Sequence, residues 1–95
     1  MPDAIFAVND PVAIGAIERI KEAGLKIPDD IAIVGFSNNP ITRMITPKLT
    51  TVDQPAYEMG KKSAEMMIEN LNAKDKVFDK KTIVLNAELI IRDSA

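Results

Sequence analysis

An α/β fold, with a parallel β-α-β core and flanking helices, is predicted by three features of this 95-residue chain. Two short apolar runs, Ile5-Phe6-Ala7-Val8 and Ile31-Ala32-Ile33-Val34, have the composition of strands buried on both faces of a parallel sheet. Between them lies a segment with helical period, set off from each run by polar and turn-forming residues. The hydrophobic content of 46% beside 27% charged residues suits a globular chain, and the length allows one small domain or part of a larger one.

The first run halts at Asn9-Asp10-Pro11. A helix starts here, with Asn9 or Asp10 as N-cap and Pro11 in the first turn, where a missing N–H is harmless. Ala13, Ile17 and Ile20 form its core face, and Gly24 is placed to end it in a left-handed conformation. Leu25 to Asp30 is a turn-rich connector into the second run, which stops at Gly35. Asp29 and Asp30 fall at that strand's amino end and read as solvated turn residues. Parallel strands then bring the loop Phe36-Ser37-Asn38-Asn39-Pro40 beside Asn9, at the carboxyl edge of the sheet, where open α/β folds bind ligands.

Beyond this unit, Ile41 to Ile45 reads as a short helical turn ended before Pro47, and Leu49-Thr50-Thr51-Val52 as a β-branched strand. A second helix begins with Asp53 or Gln54 near the cap and Pro55 in the first turn. It sets Gly60, Ala64, Met67, Ile68 and Leu71 on one face, and Met59, Met66 and Met67 read as core or near-core packing. Asn72 to Lys81 mixes charges without period and is expected to be a solvated loop. Thr82 to Leu85 and Ala87 to Ile91 are strand-like, and Arg92-Asp93-Ser94 is a polar end.

Several function classes are set aside by composition. A net charge of -2 offers no general attraction to nucleic acid. No apolar run reaches the length of a membrane helix, and no basic, apolar leader opens the chain, so a cytoplasmic location is expected. With no histidine, no cysteine, no phosphate-cradling glycine loop and no carboxylate pair at the crevice, no nucleophile is assembled with its base. A non-enzymatic role is expected, without metal or cofactor.

Three stretches carry a resemblance: "NDPVAIGA", "PDDIAIVGF" and "PKLTTVDQ", in that order, with "ELIIRDS" at the end. They are similar to the C-terminal part of a LacI/GalR-family transcriptional regulator, nearly end to end. The resemblance implies a partial periplasmic-binding-protein-like (type I) fold, an effector domain in which a small molecule, a sugar or related metabolite, binds between two lobes. On this alignment residues 1–52 and 87–95 belong to the C-terminal lobe and 55–86 to the N-terminal lobe. Contact with DNA would come only through an N-terminal helix-turn-helix domain absent from these residues, so Met1 is not expected to be the true start. Ligand closure would rotate the lobes and bias the DNA-binding heads. The alternative is a sugar-binding protein of a transport system, which shares the fold.

Position by position, the resemblance places ligand contacts at Asn9, Ser37 and Gln54. At Ser37 many members have an aspartate, and a serine offers no charge-assisted bond, so the ligand differs or Asn38 serves instead. Each also has a plain structural reading, Ser37 and Asn38 as turn residues and Asn9 and Gln54 as caps. The family dimerises through positions matching Ile14, Met44 and Ile45, which read equally as an exposed stripe or as core. With its usual partners outside the chain, the segment Met59 to Leu71 is expected to fold back on the sheet or to swap between two copies.

Overall fold

The structure, a computed structural model, describes residues 2–72 and 81–95. The chain divides into two compact units, Met1–Gln54 with Ala87–Ala95, and Pro55–Asn86. In the first unit, β1 (Ala4–Phe6), α1 (Asp10–Glu22) and β2 (Ala32–Val34) form a parallel β-α-β motif with Ile5 opposite Ile33.

Local chemistry accounts for the bounds of α1. Asn9 is extended (φ -157°) and its Oδ1 accepts from the Val12 N–H at 2.9 Å, which satisfies one of the helix's unpaired donors. Pro11 follows in the first turn, and Gly24 takes φ +78° just past the C-cap Ala23. Ala13, Ile17 and Ile20 are the apolar residues buried along α1, at the spacing of one helical face. They pack on Ala7, Ile31, Ile33 and Leu49, with Ile5, Leu25, Ile27 and Ile45 partly buried around them.

A third strand joins through backbone bonds. Gly35 N–H donates to Thr50 O and Ser37 N–H to Val52 O, each at 2.9 Å, and Val34 bridges Thr50 in parallel. The same strand continues as β3 (Thr51–Asp53), which pairs antiparallel with β4 (Glu88–Ile90), Val52 opposite Leu89. The helical turn after Gly35 is a 3-10 turn over Pro40–Arg43, capped by Asn39 Oδ1.

Three expectations need correction. Burial of the first strand on both faces fails, because Phe6 is 66% and Val8 73% exposed. Side chains alternate along a strand, and α1 covers only the face that carries Ala7 and Ile33. At the polar end of the chain, Ser94 is fully buried. Its hydroxyl donates to Ile33 O at 2.6 Å and accepts from Thr50 N–H at 2.8 Å, and its carbonyl accepts from Ile33 N–H. It thus closes the gap between β2 and the segment before β3.

The second unit contains α2 (Ala56–Leu71), which begins after Pro55 and has no buried residue. Its expected core face lies open: Met67, Ile68 and Leu71 are all more than half exposed. Met59, Ser63 and Met66 instead line a cleft with Thr82, Ile83 and Leu85. Thr82 to Leu85 is not a strand, for a strand needs a hydrogen-bonded neighbour and this segment pairs with none among the described residues. The expected solvated loop from Asn72 to Lys81 lies outside the described residues over 73–80. No described helix is long and apolar enough to cross a membrane.

Candidate functional site

At the carboxyl edge of β1 and β2 two polar loops meet. Asp10 N–H donates to Phe36 O at 3.2 Å, which ties the start of α1 to the loop after β2. The Asp10 side chain goes further. It is fully buried, and its carboxylate accepts from the Asn39 N–H through Oδ2 and from the Thr51 hydroxyl through Oδ1, both at 2.7 Å. Burial of an ionised carboxylate is tolerable only with such donors, and the N-terminal turn of α1 adds its favourable dipole. Gly35 makes room for it, because a Cβ there would lie 2.3 Å from Asp10 Oδ1 and 2.9 Å from Leu49 Cδ2.

A second charge completes the network. Arg92, just after β4, donates through Nη2 to Asn38 Oδ1 at 2.8 Å, and through Nη1 to Thr42 Oγ1 at 2.8 Å and Leu49 O at 2.9 Å. The Thr42 hydroxyl donates to Asn39 O at 2.6 Å, and Asn38 N–H to Thr51 Oγ1 at 3.2 Å. Asp10, Asn39, Thr42, Arg92, Asn38 and Thr51 therefore form a closed ring of hydrogen bonds. No buried side-chain nitrogen or oxygen among the described residues lacks a partner.

The ring grips an unusual backbone. Ser37 has φ +111° and Asn38 φ +53°, conformations that L-residues adopt at a cost of about 1–3 kcal/mol each. The successive N–H groups of Ser37, Asn38 and Asn39 bond to Val52 O, Thr51 Oγ1 and Asp10 Oδ2. The exposed Ser37 hydroxyl accepts from Gln54 Nε2 at 2.8 Å, in the last residue of the unit before the chain leaves it.

The family model for the periplasmic binding protein-like domain matches residues 1–95. The lactose operon repressor of Rhizobium radiobacter is 43% identical over 94 residues, 99% of this chain and 80% of that protein. The chain belongs to the LacI/GalR family. Among longer relatives, the transcriptional repressor PurR of Vibrio vulnificus is 38% identical over 98% of this LacI/GalR chain, which spans only 27% of that repressor. A LacI-family regulator from Enterococcus faecalis V583, solved with bound ribose, superposes with a TM-score of 0.78 at 36% identity, over 96% of this chain and 33% of that one. The periplasmic-binding-protein-like fold expected of a LacI/GalR chain is thus present in part.

Within this LacI/GalR framework the residues singled out from sequence fall into distinct places. Ser37 and Gln54 touch each other, and Asn9 caps α1 with Oδ1, a bond that does not use its amide N–H groups. Asn38 turns its Oδ1 into the ring, so this acceptor serves the loop. Ile14 is half-buried, Met44 is 80% exposed, and Ile45 packs on the chain's own core. Asp10, Thr42, Thr51 and Arg92 were missed as site residues. Only Asp10 carries a sequence signal, since a junction that already has Asn9 as cap does not need a second carbonyl-bearing side chain.

Proposed function

We propose that this chain is the effector-sensing and dimerising portion of a LacI-type DNA-binding regulator, taking up a small polar metabolite of the sugar class. In this reading 1–52 and 87–95 form part of the C-terminal lobe and 55–86 part of the N-terminal lobe. DNA is contacted by a separate N-terminal domain, and the chain performs no catalysis. Asn9, Ser37 and Gln54 read the ligand, while Asn38 shapes the loop that presents Ser37.

One observation carries the reading: the hydrogen bond from Gln54 to Ser37 joins the two segments at the crevice edge. A sugar hydroxyl, both donor and acceptor, replaces such a bond with one bond to each partner. The relative solved with ribose supports the sugar class. Titration calorimetry of the full chain with ribose, glucose and sucrose is expected to give binding of at least one, weakened about tenfold by Gln54→Ala, or about 1.4 kcal/mol. The unfolding midpoint is expected to stay unchanged. Absence of heat from all three sugars rejects the sugar class, and unaltered affinity removes Gln54 from the site.

For self-association, Ile14 and Met44 supply the surface, with Ile45 shared with the core. The exposed Met44 is the sharpest probe. Met44→Asp buries a charge in any interface that uses this face, and light scattering is expected to show a dimer reduced to monomer. A dimer that survives the change places its interface elsewhere.

A further inference from the structure

Two buried or half-buried charges at opposite ends of the chain converge on one strained turn. Asp10 lies at the start of α1, and Arg92 follows β4. They make no ion pair with each other; Asp10 accepts from the Asn39 N–H and the Thr51 hydroxyl, and Arg92 donates to Asn38 Oδ1, Thr42 Oγ1 and Leu49 O. Hydrogen bonds from or to a charged group are about twice as strong as neutral ones, so the two charges hold the amides and hydroxyls they touch firmly in place. The held groups are the side-chain oxygen of Asn38, the second positive-φ residue, and the N–H of Asn39, which follows it. Thr51 couples the two halves, donating to Asp10 and accepting from Asn38 N–H.

We propose that Asp10 and Arg92 are positioning residues for ligand recognition: by clamping Asn38 and Asn39 they keep Ser37 in its left-handed conformation and aim its hydroxyl at Gln54. This rests on the ligand reading of Ser37 and Gln54 above. Without the clamp the turn relaxes to an ordinary β-region backbone, because serine has no intrinsic preference for positive φ. The Ser37 hydroxyl then leaves the edge, and the site loses one of its fixed polar groups although no contact residue has changed. Thr51 and Arg92 sit on or next to the β3–β4 ribbon, so the aim of Ser37 depends on the ribbon that carries the chain out at Gln54 and back at Ala87.

The test compares the full wild-type chain with Arg92→Met and Thr51→Val, the second a near-isosteric change that removes the shared hydroxyl. Two readouts are taken: the backbone couplings of Ser37 and Asn38 by NMR, which report φ without any ligand, and the affinity for ribose, glucose and sucrose. Ser94→Ala serves as a control for loss of a buried hydrogen-bonding side chain close to the ring but not part of it. Both test variants are expected to lose the positive-φ signature at Ser37 while the amide spectrum of α1 persists, and Ser94→Ala is expected to keep it. Affinity for the sugar that binds best is expected to fall about tenfold in Arg92→Met, with Ser37→Ala adding little in that background, since positioning and positioned residue act as a unit. Arg92→Lys is expected to restore part of both.

Retention of positive φ at Ser37 in both test variants overturns the positioning role, whatever binds. Loss of the signature in Ser94→Ala to the same degree overturns it as well, because the effect is then one of general stability. If the wild type binds none of the sugars but the variants lose the turn, the sugar reading fails and the clamp stands.

Discussion

Asp10→Ala is expected to destabilise the chain by about 3 kcal/mol, among the largest effects of any single polar substitution in it. The carboxylate is fully buried and accepts two hydrogen bonds at 2.7 Å. Hydrogen bonds to a charged group contribute roughly 1.5–3 kcal/mol each, and removal of the acceptor leaves the Asn39 N–H and the Thr51 hydroxyl to find others in a site shaped for an oxyanion. Alanine also removes a negative charge from the first turn of α1. Asp10→Asn keeps one acceptor oxygen but puts an N–H₂ where the second stood, so about half the loss is expected. Urea denaturation followed by circular dichroism measures both. A loss below about 1 kcal/mol for the alanine variant contradicts the network's role in the fold.

Gly35→Ala is expected to destabilise by a similar amount, about 3 kcal/mol, through crowding instead of loss. Its Cβ would meet Asp10 Oδ1 at 2.3 Å and the Leu49 side chain at 2.9 Å. Neither neighbour yields cheaply: Asp10 is held by its two donors and Leu49 is fully buried in the core. The two substitutions share one space, so they are not additive. In the Asp10→Ala background the added methyl enters the room vacated by the carboxylate, and only the contact with Leu49 remains, so Gly35→Ala is expected to cost about 1 kcal/mol there. A double-mutant cycle reads this as a coupling of about 2 kcal/mol. Additive losses sink the account of Gly35 as the floor under Asp10.

The β-α-β motif was legible from residues 5 to 35 because each of its signals acts locally. Asn9 has a helix donor within three residues, Pro11 fits the first turn by its fixed φ, and Gly24 accepts positive φ without a clash. The core face of α1 follows from helical period alone. The same reasoning went astray at Phe6, Val8 and the apolar face of α2, where composition promised burial. Period says which residues share a face, but burial depends on whether another element covers that face. At the proposed site, Asn9, Ser37 and Gln54 were singled out through a resemblance, whereas Asp10 was read only as an alternative cap and Arg92 as part of a polar end. Their hydrogen-bond partners lie 29 to 54 residues away in the chain, beyond the reach of any spacing rule.

By itself the sequence determined the class of fold, the start and stop of α1, the edge at which polar loops converge, and membership of the LacI/GalR family. Tertiary structure alone decided that Asn9 caps while Asp10 turns inward, that Ser37 and Asn38 take positive φ, and that Ser94 is part of the interior. The physical reason is one of range. Capping, helical period and turn conformation are set within a few residues, but a buried carboxylate, a strained turn or an interior hydroxyl is stable only where distant segments deliver its partners.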